Sequence, residues 1–108
     1  MNIGQIAKMA QQMQAQMAQA QEELKSTTLE ASAGGGAVRI VITGAQEVRS
    51  VEIDPSAVDP DEVEMLQDLV MTAINDAIGR SKELERERMA GIAGGMGLPG
   101  VPGIPGLG

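Results

Sequence analysis

From Asn2 to Lys25 the least polar positions fall at Ile3, Ile6, Ala10, Met13, Met17, Ala20 and Leu24, in alternating steps of three and four residues. That rhythm is the a/d seam of a helix held over about three heptads. The stretch has no Pro and is rich in Ala, Gln and Met, which are good helix formers. It predicts one long helix of roughly 36 Å at about 1.5 Å per residue, longer than a small sheet can cover. Part of it is expected to project or to pack on a partner chain, through a Met/Ala seam that is narrow and adaptable.

The period then changes from 3.5 to 2. Thr27, Leu29, Ala31 and Ala33 alternate with Thr28, Glu30 and Ser32, which predicts a half-buried strand over about 26–33. A second strand follows, with Val38, Ile40 and Ile42 on one face and Arg39, Val41 and Thr43 on the other. A third runs over about 47–53, setting Arg49, Val51 and Ile53 against Val48, Ser50 and Glu52. Gly34-Gly35-Gly36 and Gly44-Ala45-Gln46 separate them, so the three strands form an antiparallel meander. The triple glycine is a turn rather than a phosphate loop: a β-branched run follows it, not a helix opened by Lys-Ser or Lys-Thr.

In "IDPSAVDPDE", Asp59 is placed as an N-cap, with Pro60 at the first helical position and Glu62 three residues after the cap. The helix that follows has its apolar stripe at Val63, Leu66, Val70, Ala73, Ala77, Ser81 and Leu84, widened by Leu69, Ile74 and Ile78. Gly91 is the expected stop. The pattern therefore predicts an α+β domain over 1–90, α-β-β-β-α. Residues 91–108, "GIAGGMGLPGVPGIPGLG", carry eight Gly and three Pro and read as an extended, mobile tail whose few Gly-X-Pro triplets are too short for a triple helix.

Composition narrows the chemistry. The 108 residues include no Cys, His, Phe, Tyr or Trp, which removes thiol chemistry, the common zinc sites and the usual general base near neutral pH. A core of Leu, Ile, Val, Ala and Met is thinly stabilised in a monomer of this size, and association is the natural remedy. No run is long enough to span a bilayer and no secretory signal is present, so a soluble cytoplasmic protein is expected. The carboxylates of "DPSAVDPDE" lack the ligand spacing of an EF-hand loop and are assigned to caps. No enzyme activity, metal, cofactor or small-molecule substrate is expected.

The net charge is −7, which by itself speaks against nucleic acid. Its distribution alters that picture. Asp61, Glu62, Glu64, Asp68 and Asp76 form an acidic block, and Arg80, Lys82, Arg86 and Arg88 follow it, interleaved with Glu83, Glu85 and Glu87. Seven glutamines between Gln5 and Gln21 can exchange hydrogen bonds with phosphates or base edges. Taken alone, these features read as solvated helix faces, with the cations serving the helix dipole and i,i+4 pairs.

The order of parts is more specific than any one of them. A Met/Gln-rich first helix, "GGGAVRIVITGAQEVRSVEIDP", "LQDLVMTAINDAI" and "GGMGLPG" together resemble the YbaB/EbfC family of bacterial nucleoid-associated proteins, over roughly residues 3–100. The resemblance implies a homodimer whose long helices project like the arms of tweezers and that binds double-stranded DNA in the nucleoid without catalysis. It implies DNA contacts from Lys8, Gln11 and Gln12 on the first helix and from Arg80, Lys82, Arg86 and Arg88 on the last. The first helix departs from that pattern in being poor in cations. The competing reading is an acidic dimeric module that binds a basic protein partner rather than DNA.

Overall fold

The structure, a computed structural model, describes residues 2–95. Its elements are α1 (Ile3–Ser26), β1 (Thr28–Ala33), β2 (Val38–Thr43), β3 (Val48–Ile53), a single 3-10 turn (Pro55–Ala57) and α2 (Val63–Gly95). The three strands form one antiparallel sheet in the order β1-β2-β3. The fold is thus the expected α-β-β-β-α, with the strand boundaries within a residue or two of the alternation that predicts them.

α2 lies across β1 and β2. Val38, Ile40 and Ile42 are fully buried beneath it, with Ala31 and Ala33 beside them and Ala73 and Ala77 facing them from the helix. The two helical alanines let the backbone approach the sheet closely, while Leu29, Leu66, Leu69, Val70 and Ile78 close the edges of this core. Each large aliphatic side chain so buried contributes about 1.5–3 kcal/mol.

The triple glycine turns the first hairpin, with φ of 64°, 68° and 98° at Gly34, Gly35 and Gly36. A side chain at Gly34 would be strained by that φ, and its Cβ, 2.9 Å from Leu69 Cδ2, would also displace the end of the Leu69 side chain.

Several expectations are corrected. α2 begins at Val63, one turn later than the Asp59 cap implies. The Asp59 carboxylate instead accepts from the Asp61 N–H, 2.9 Å away, forming a turn ahead of the helix. The Asp-Pro pair that does act as cap and first helical residue is the earlier one: Asp54 accepts from Ser56 N at 2.9 Å and Pro55 opens the 3-10 turn. At the other end, α2 passes through Gly91 and runs to Gly95. A mid-helix glycine costs about 1 kcal/mol, and burial of Ile92 one residue later offsets it. The remainder of the expected tail, from residue 96, lies outside the described residues.

The third strand also differs. Val38 pairs with Ile53 and Ile40 with Val51, but a bulge shifts the register so that Ile42 pairs with Val48. Directly paired residues share a face, so Val48 joins Val51 and Ile53 on the core side instead of opposing them. The displaced Arg49 donates from Nη2 to the Lys25 carbonyl at 3.0 Å, placing a cation at the negative end of α1.

Candidate nucleic-acid interface

Beyond the sheet, α1 and α2 run side by side as a two-helix arm. α1 packs against α2: Ala20 and Leu24 on it are buried and Met9, Met13 and Met17 half-buried, and Met17 and Gln21 lie beside Lys82, Glu85, Arg86 and Met89. Along the facing part of α2, Ser81 and Ile92 are buried and Leu84, Glu85 and Met89 half-buried. The expected seam positions from Met13 to Leu24 are shielded, and the chain's own α2 runs beside this helix. Toward the N-terminus the seam opens: Ala10 is exposed, Ile6 is 53% exposed and Ile3 is 84% exposed. α1 starts cleanly because Asn2 Oδ1 accepts from Gln5 N at 2.8 Å, an N-cap bond typically worth about 1 kcal/mol.

The candidate DNA-contacting residues divide into separate groups along this arm. Lys82 and Arg86 share a hollow between the helices with Met17, Gln21, Glu85 and Met89. Lys8 lies in another hollow on α1 with Gln5, Met9 and Gln12, and Gln11 does not join it. Thirteen residues separate Lys8 from Gln21, roughly 20 Å along the axis and about 140° around it. The first group therefore lies along one flank of the arm and Lys8 on another. Sequence spacing identifies these cations but not the Met17–Gln21 wall that adjoins two of them.

Their electrostatic states also differ. Arg80 pairs with Asp76 at 3.0 Å, Arg86 with Glu83 one turn before it, and Arg88 with Glu23 of α1 at 2.9 Å. Among the described residues, Lys8 and Lys82 make no ion pair. The surface pairs are exposed and weak, about 0–1 kcal/mol each, so Arg80 and Arg86 can exchange a carboxylate for a phosphate at small cost. Arg88 is different because its partner belongs to the other helix.

Charge is segregated along α2. Residues 54–68 hold Asp54, Asp59, Asp61, Glu62, Glu64 and Asp68 with no base among them, at the end of the sheet where α2 begins. The Asp54 carboxyl is held below its ordinary value, first by the Ser56 N–H, then by the Ser56 hydroxyl, with Arg39 assisting. From Asp68, the last acid of that run, to Lys82 the helix advances roughly 21 Å, more than two Debye lengths at physiological salt. The acidic pole therefore has little effect on an anion bound at the arm.

A profile of the YbaB/EbfC DNA-binding family matches residues 1–96. The chain is 52% identical over 96 residues to a nucleoid-associated protein of Chloroflexus aurantiacus, covering 89% of this chain and 96% of that one. It is 49% identical over 95 residues to a nucleoid-associated protein of Acetivibrio thermocellus, covering 88% and 84%. The crystal structure of an uncharacterized protein from Helicobacter pylori superposes with a TM-score of 0.71 at 26% identity, covering 81% of this chain and 91% of that one.

Proposed function

Since the chain belongs to the YbaB/EbfC DNA-binding family, we propose that it binds double-stranded DNA as a homodimer in the bacterial nucleoid, through cations carried on its helical arms. The observation that carries this reading is the charge segregation along α2: Lys82 and Arg86 stand together on the arm, far from the acidic pole. A duplex can lie along the arm while the six carboxylates of residues 54–68 stay away from it. Lys82, unpaired among the described residues, contacts a phosphate directly. Arg80 and Arg86 turn from their surface carboxylates to do the same. Gln21, in the same hollow as Lys82 and Arg86, supplies hydrogen bonds to the backbone without demanding a particular base. The duplex is held and not altered chemically.

The homodimer reading is supported by the core-side face of β3. Val48, Val51 and Ile53 point to the side that α2 covers over β1 and β2, yet they remain 46%, 50% and 39% exposed. A row of β-branched residues on an edge strand with an open face is a surface built to be covered. A second copy meeting it there would leave both arms free to project.

The test is fluorescence anisotropy of a labelled duplex at several salt concentrations, with the wild type beside a Lys82→Gln/Arg86→Gln variant. Log K is expected to fall linearly with log salt, by about 0.9 for each phosphate contacted, and the variant's slope to be smaller by at least one contact. A wild type that binds no duplex at low salt overturns the reading and favours a basic protein partner.

A further inference from the structure

Among the described residues only two polar side chains are buried, Thr43 and Ser81, and they lie together where the arm leaves the sheet. Ser81 Oγ accepts from Gln46 N at 3.1 Å and from Gln46 Nε2 at 3.0 Å, and donates to the Thr43 carbonyl. Thr43 Oγ1 in turn accepts from Ala45 N at 3.2 Å and Glu47 N at 3.1 Å, holding the β2–β3 turn. Gln46 adopts a left-handed conformation, φ 60°, to present both its donors. No buried side-chain nitrogen or oxygen among the described residues is without a hydrogen-bond partner.

This cluster stands where the apolar stripe of α2 should have an aliphatic residue. Packing of Met and Ala tolerates sliding and rotation, whereas a buried polar residue in an apolar seam specifies one register. Turning α2 by one residue, about 100°, would bring Arg80 or Lys82 against the turn and bury a charge. With Ser81 inward, both flanking cations are directed outward.

We infer that Ser81 and Gln46 are positioning residues for DNA binding: they pin the rotation of α2 at the base of the arm and so set where Lys82 and Arg86 meet the duplex. The inference rests on the DNA-binding reading, but its geometric half does not need it.

The experiment uses Ser81→Ala and Gln46→Gly. Ser81→Ala leaves Gln46 N bonded to the Thr43 carbonyl at 3.1 Å, and Gln46→Gly accepts the positive φ while removing both side-chain bonds, to Ser81 Oγ at 3.0 Å and to the Gly44 carbonyl at 2.9 Å. Circular dichroism establishes that each folds. Because the chain has no cysteine, Ser32→Cys on the sheet and Glu87→Cys on α2 accept spin labels, and the doubly labelled chain is diluted into unlabelled protein so that only distances within one chain are read. The expected result is one narrow distance without the test substitutions and a shifted or broadened one in either, with a salt slope shallower by about 0.9 or more. Unchanged distances in both variants overturn the pin. Broadened distances with an unchanged salt slope overturn the role in DNA binding. If the wild type binds no DNA, the proposed function fails and the distances still decide the pin.

Discussion

Arg88 donates from Nη2 to Glu23 Oε2 across 2.9 Å, joining residues 65 positions apart and clasping the two helices of the arm. Spacing on α2 marks Arg88 as one more basic residue near a helix end; its partner on α1 makes it a clasp. Both side chains are nearly half exposed, so the pair is worth at most about 1 kcal/mol. Arg88→Glu should lower stability by roughly that amount, and Glu23→Arg added to it should restore most of the loss. A double-mutant cycle in urea reads the coupling, and independence of the two substitutions would show that the clasp contributes nothing.

Gly44 lies beneath Leu24, where a Cβ would come within 2.5 Å of Leu24 Cδ2 and 3.3 Å of its carbonyl oxygen. The backbone atom cannot yield as a side chain can. Gly44→Ala should therefore cost about 1–3 kcal/mol by overpacking, seen as a lower urea midpoint with an unchanged slope.

Val51 is half exposed on β3, so Val51→Asp should change the protomer little while placing a charge in the proposed dimer face. Light scattering is expected to show the monomer mass, with the circular dichroism spectrum of the wild type. A variant that stays dimeric would move the interface away from β3.

The Asp54 carboxyl has a lowered pKa because the Ser56 N–H and hydroxyl favour its ionised form. With the folded value depressed, its stabilisation of the 3-10 turn is present above the unfolded carboxylate value and is lost as pH falls through the folded one. A carboxyl-detected NMR titration should place Asp54 below the ordinary aspartate value, and Ser56→Ala should raise it only part of the way, since the backbone donor remains.

The order of elements was legible because period and composition change together: a 3.5 rhythm in α1, a strict 2 in β1 and β2, and a 3.6 stripe in α2. The candidate cations were legible as a cluster, but their partners were not. A carboxylate one turn away, as for Arg80 with Asp76, follows from helical spacing. One on another helix, as for Arg88 with Glu23, depends on how two segments meet. The end of α2 was misplaced at Gly91 because glycine is a local stop signal, whereas the burial of Ile92 that carries the helix onward is tertiary.

What the sequence by itself determined is whatever follows from neighbours along the chain: the element order, the buried faces of β1 and β2, the glycine hairpin, the concentration of charge of each sign, and the family. Tertiary structure alone decided the rest. The bulge that turns Val48 to the core side, the division of the cations between flanks of the arm and the seating of Ser81 on Gln46 all depend on the relative placement of segments distant in sequence. Hydrophobic periodicity specifies which face of a helix or strand is buried, but it is nearly blind to rotation and offset between two buried faces; those are settled by a few directional hydrogen bonds and close contacts that form only once the faces meet.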